Sequence, residues 1–128
     1  MAVLLLIGRI IFGGYFIYSG YNHMANIQTM SGYAKFKGVP APRLAVGSTG
    51  VMLVFGGTSV LLGVVPVVGL LLLILFLVPT SLMMHNYWAI EDPDQRIGER
   101  VNFLKNVGLA GAALALMYGA AAWPLSLL

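Results

Sequence analysis

The chain has no cysteine, few charges and only four acidic residues in 128. Without cysteine there is no disulfide framework, no thiolate metal site, no iron–sulfur cluster and no cysteine nucleophile. Charged residues amount to 9% and hydrophobic residues to 59%, against roughly 25% and about 45–50% in ordinary globular chains. A domain this small has a large surface for its volume and needs polar groups to cover it. Seven Lys+Arg and four Asp+Glu do not suffice, which excludes a soluble enzyme and a disordered tail. The net charge of +3 does not indicate nucleic-acid binding, because the basic residues are scattered among loops instead of forming one basic face. The composition implies an integral membrane protein.

A hydrocarbon core of about 30 Å takes roughly 20 mostly apolar residues per helix. Four stretches qualify, at about 2–21, 44–62, 66–85 and 101–122. They are apolar all round, without the period-two alternation of a membrane β-barrel. The first stretch lacks a basic segment before its apolar run and a small-residue cleavage site after it, so it reads as a span and not a signal peptide. The expected fold is all-α: a four-transmembrane-helix bundle. Gly63 and Pro66 suit a helix end and a helix start, so spans two and three form a tight hairpin. Pro79 removes one hydrogen bond from the third span and predicts a bend there.

Two longer loops hold most of the charge. The first, about 23–43, carries Lys35, Lys37 and Arg43, and its Ile27, Met30 and Ala34 fall at helical spacing. A short interfacial helix is expected there, ended by Gly38, Pro40 and Pro42. The second, about 86–100, holds Glu91, Asp92, Asp94 and Glu99 with Arg96 and Arg100. It reads as a solvated turn with carboxylate links to the two arginines. Four spans put both loops on one side, with five Lys/Arg against none opposite, so the loops are expected in the cytoplasm and both termini outside.

Lipid gives helices no hydrophobic reason to associate, so small residues must let backbones approach. Gly108, Gly111, Ala112, Ala115 and Gly119 trace one face of the last span and are expected to pack inside the protein, with docking on another subunit as the alternative. Gly47, Gly50 and Gly57 mark a face of the second span, and Gly13 and Gly14 form a notch in the first.

Polar groups within a span need a partner or a purpose. Arg9 lies about 11 Å into the first span at the helical rise; it either snorkels to the outer headgroups or faces inward and binds an anionic group or a polar ligand. At the cytoplasmic ends collect Asn22, His23, His85, Asn86, Asn102, Lys105 and Asn106, at the level of Tyr15, Tyr18, Tyr21, Tyr87 and Trp88. Two imidazoles, amides and an ammonium suit a quinone headgroup, a lipid headgroup or a proton shuttle; the same groups also meet headgroups and loop backbone in a purely structural role. Haem or chlorophyll ligation by His23 or His85 is disfavoured, because no histidine pair shares a helix at ligand spacing. No phosphate loop, Ser/His/Asp set or metal-ligating cluster occurs, so an enzyme is not the expected class. The candidate ligand-binding residues are Arg9, His23, His85, Asn86, Trp88, Asn102, Lys105 and Asn106.

Taken together, YSGYNH (18–23) after Arg9, YAKFKGVPAPRL (33–44) running into Phe55-Gly56-Gly57 and Leu61-Leu62-Gly63, and HNYWAIEDPDQR with ERVNFLKNVGLAGAALAL (85–96 and 99–116) resemble the DoxX family of small four-span membrane proteins. The likeness runs from end to end and implies one transmembrane domain over 1–128. Residues matching the family pattern are Arg9, His23, Trp88, Asn102, Lys105 and Asn106. Members often carry a carboxylate in the second span before the paired glycines; here Val51, Met52 and Leu53 stand in that neighbourhood. The resemblance implies an accessory subunit of a bacterial inner-membrane redox or electron-transport complex. It would sit among lipids, pack on larger membrane subunits and wall a lipid or quinone position. The alternative is a stand-alone quinone- or lipid-binding protein. A transporter is disfavoured by the lack of intramembrane acids and internal repeats.

Overall fold

A computed structural model describes residues 1–127. Five α-helices follow in order: α1 (Ala2–Ala25), α2 (Ile27–Phe36), α3 (Pro42–Leu62), α4 (Pro66–Met84) and α5 (Pro93–Met117). Single turns of 3-10 helix lie at Tyr87–Ala89 and Ala120–Ala122. No strand occurs among the described residues.

Three helical stretches are long and apolar enough to cross a membrane: Ala2–Ala25, Pro42–Leu62 and Pro66–Ala89. This is a multi-pass membrane protein. The fourth expected span is a helix, but α5 does not join those three. It starts eight residues before Val101, so its first turns carry Asp94, Arg96, Glu99 and Arg100, and it stops at Met117 before an apolar run is complete. Asp92 caps it through the Asp94 amide, with Pro93 at the first position.

Around the bundle the order of packing is α1–α3–α4–α5, with α2 laid against α3. The α1/α3 contact is made by glycines. A Cβ at Gly13 would lie 2.5 Å from the Gly57 carbonyl oxygen, and one at Gly20 would lie 2.6 Å from that of Gly50. The two pairs sit seven residues apart on both helices, so backbones touch at two points along one antiparallel seam. Gly56 performs the same service toward Leu73 and Gly69 of α4. Gly14 has nothing near it and takes no part in the notch.

The stripe expected to pack α5 inward does the reverse. Gly108, Gly111, Ala112, Ala115 and Gly119 are all exposed, and no atom lies within 4 Å of a Cβ at Gly108, Gly111 or Gly119. The buried face is Asn106, Ala110 and Ala113, because Ala110 and Ala113 meet the leucines of α4 in the core. That core joins Leu53 and Val60 of α3 to Leu70, Leu73 and Leu77 of α4, with Phe16 reaching over from α1.

The α3–α4 hairpin forms as read. Gly63 is left-handed at φ 72° and Pro66 opens α4. Helix α4 runs unbroken through Pro79. Ends of helices leave four carbonyls without partners, and at α3 each of the four is answered. Ser59 O accepts from the Gly63 and Val64 amides, Val60 O and Leu61 O from Arg9, and Leu62 O from the Leu127 amide.

Candidate functional site

Arg9 faces inward and is fully buried. Its Nε donates to Val60 O at 3.1 Å, one terminal nitrogen to Leu61 O at 3.0 Å, and the other to Pro124 O at 2.9 Å and Leu125 O at 3.3 Å. The Trp123 ring covers it at 5.2 Å. A guanidinium has five donors and no acceptor; here it spends them on backbone carbonyls at a helix C-terminus, where the helix dipole favours positive charge. This junction lies at the hairpin end of the bundle, and Arg9 is not brought to the other candidate residues.

At the opposite end α1, α2, α3, α4 and α5 surround a half-open cavity of about 500 Å³. Its wall is mainly apolar, from Phe16, Met30, Val46, Phe76, Leu77 and Met83, and four of the candidate residues enter it: His23, His85, Lys105 and Asn106. Asn106 is buried on α5 one turn from Asn102. Helix α2, found where the first loop was expected to be helical, turns Ile27, Met30 and Ala34 inward and forms one wall.

Both imidazoles are held by Nδ1. That of His23 donates to the Ser19 carbonyl at 2.8 Å, and that of His85 donates to Glu99 Oε2 at 2.6 Å. A carbonyl or a carboxylate can only accept, which places the proton on Nδ1 in each ring. Nε2 has no protein hydrogen bond in either ring and is not a sealed orphan, and both rings line the cavity. Phe76 meets His23 edge-on at 5.6 Å.

Beside the cavity lies a polar groove lined by Tyr33, Lys37, Asn86, Glu91, Asp92, Gln95, Glu99 and Asn102. Lys37 Nζ donates to Asn86 Oδ1 at 2.8 Å and sits over the Tyr33 ring at 5.7 Å. Tyr33 belongs to both walls. Its phenol is pushed above its ordinary range by burial and then by the negative charge of nearby Glu99. Trp88 borders neither space; it is exposed and packs edge-on against Tyr87 and Phe103.

The acidic segment differs from expectation. No carboxylate is paired with Arg96 or Arg100 among the described residues; Arg96 Nε donates to Ile90 O at 2.7 Å. The carboxylate that pairs with an ionisable side chain is Glu99, because α5 begins early enough to make it helical and aim it at the end of α4. Sequence reasoning left Glu99 and Tyr33 out of the site. A signal for Glu99 was present: the steps 99–102–106 extend the Asn102/Asn106 face by one turn.

The DoxX family model matches residues 4–86. The chain is similar to the inner membrane protein YphA of Escherichia coli (strain K12), at 34% identity over 114 residues, covering 89% of this chain and 81% of that protein. No solved structure matches it.

Proposed function

This chain belongs to the DoxX family, and from that premise we propose that it holds an apolar-bodied small molecule with a carbonyl- or hydroxyl-bearing headgroup, of the quinone class, in the cavity beside α2. The observation that carries this is the pair of anchored imidazoles, each with no protein partner at Nε2, in a mainly apolar cavity of about 500 Å³. Small-molecule sites are commonly apolar spaces of roughly 300–1,000 Å³ with a few convergent polar groups. His23, His85 and Asn106 provide those groups, and the hydrocarbon provides the route in.

The test is titration of the purified protein in detergent with a short-chain benzoquinone, followed by tryptophan quenching and native mass spectrometry. Saturable binding, weakened about tenfold or more in His85→Ala and unchanged in Asp94→Asn, supports the reading. Absence of saturable binding overturns it, as does equal affinity in the two variants.

A second reading, an accessory subunit of an inner-membrane redox complex, is favoured by the exposed face of α5. Gly108, Gly111, Ala112 and Ala115 are open to a neighbour. In this reading α5 is the fourth crossing, both termini are outside, and the loops bearing Lys35, Lys37, Arg43, Arg96 and Arg100 are cytoplasmic. The chain has no native cysteine, so single-cysteine variants at the exposed positions Leu127→Cys and Gln95→Cys report sidedness directly with an impermeant maleimide. Labelling of both from one side of intact cells refutes the fourth crossing. Gentle extraction that yields the lone protein refutes the complex.

A further inference from the structure

We infer that His85 and Glu99 form a proton relay between the cavity and the polar groove, a step that rests on the ligand reading above. The two spaces adjoin at Tyr33, and the hydrogen-bonded pair links their walls: His85 lines the first and Glu99 the second. The bond is short, 2.6 Å, and each side chain keeps about a fifth of its surface, 20% and 19%. It is therefore neither sealed in the core nor freely solvated. His85 presents Nε2 on the ring edge away from Glu99, with no protein partner.

The chemistry balances without any redox partner. A ligand hydroxyl gives its proton to Nε2, the Nδ1 proton passes to Glu99 Oε2, and Glu99 releases it to the groove. The reverse sequence delivers one proton from the groove to a ligand oxyanion. Each transfer breaks one O–H or N–H bond as another forms. His23 is excluded as the conduit, because its Nδ1 ends on a backbone carbonyl that cannot take a proton onward. The other charged and titratable groups in reach are Tyr15 from α1, Tyr33 from α2 and Lys37 just beyond its end, Lys105 from α5, and Glu91 and Asp92 at the groove. Of these Tyr33 faces Glu99, and Lys37 is committed to Asn86.

The experiment is voltammetry of a short-chain benzoquinone bound to the full-length protein on an electrode, which supplies the electrons while water supplies the protons. Glu99→Gln is expected to bind the quinone with affinity within about threefold of the parent. Its proton-coupled reduction is expected to slow about a hundredfold, within the usual range for loss of a positioned acid–base group, and to acquire a larger solvent isotope effect. Glu99→Asp is expected to recover part of the rate, which separates proton transfer from a merely structural role and covers a folding failure of the glutamine variant. Glu99→Gln reacting at the parental rate with quinone bound overturns the relay and leaves the ligand reading standing. Failure of the parent protein to bind quinone overturns both.

Discussion

Replacing Arg9 with methionine keeps an unbranched apolar stem and removes the guanidinium with every donor. Four carbonyls then lose their partner: Val60 and Leu61 at the end of α3, and Pro124 and Leu125 in the C-terminal segment. The Val60 bond is buried, and an orphaned buried acceptor costs about 1–3 kcal/mol. The other three are partly buried and lie nearer about 1 kcal/mol each by the same scale. Loss of the Trp123 stacking adds roughly 0.5–1 kcal/mol. Neighbouring losses are not additive, so a destabilisation of about 3–5 kcal/mol is expected. Arg9→Lys keeps the charge but offers a single nitrogen in place of three, and is expected to lose about half as much. Reversible unfolding in mixed micelles, followed by circular dichroism, measures both. Maleimide labelling of a Ser126→Cys background reports release of the C-terminal segment. An Arg9→Met protein within about 1 kcal/mol of the parent, with that cysteine still protected, would refute the assignment of Arg9 as the cap of α3.

Two further outcomes follow from the packing and the groove. Gly20→Ala forces apart the α1 and α3 backbones where a Cβ would stand 2.6 Å from Gly50 O, and is expected to cost about 1–3 kcal/mol in the same unfolding assay; Gly14→Ala, with nothing near it, is expected to be neutral or slightly stabilising. Tyr33, its phenol raised by burial and by Glu99, favours the folded state below the ordinary phenol range near about 10, and that contribution is lost as pH rises through the raised folded value. Tyr33→Phe is therefore expected to flatten the alkaline limb of the stability profile, and an unchanged limb would show that Glu99 does not act on it.

How much of this was legible beforehand depends on how local each signal is. The hairpin was legible because Gly63 and Pro66 encode it within four residues, and α2 because Ile27, Met30 and Ala34 share one helical face. The start of α5 was not, since Asp92-Pro93 reads equally as a polar turn and as a capped helix start. That one ambiguity misplaced Glu99, and with it the histidine pair that organises the site. His23, His85, Lys105 and Asn106 line one cavity, a proximity that their common level near the ends of α1, α4 and the start of α5 makes readable from spacing. Arg9 belongs to the far end. Its partners are carbonyls in residues 60–61 and 124–125, and backbone acceptors leave no mark in side-chain identity.

The α5 face carries the sharpest test of what small residues mean here. Alanine and glycine at three- and four-residue steps predict close approach but not to what, since the pattern is identical whether the neighbour is in the same chain or another. On α1 and α3 glycines face each other and a Cβ at Gly13, Gly20 or Gly57 meets backbone within 3 Å. On α5 the space over Gly111 is empty. A Leu side chain at Gly111 thus has room in the isolated protein, and gains roughly 1 kcal/mol of helix propensity over glycine. Gly111→Leu is expected to unfold no more easily than the parent in micelles, in contrast to Gly20→Leu. Where a second membrane subunit docks on that face, the same leucine must lower recovery of the complex while leaving the yield of folded protein intact. A Gly111→Leu protein that is itself destabilised by more than about 1 kcal/mol would show that the Gly111 face of α5 packs inward after all.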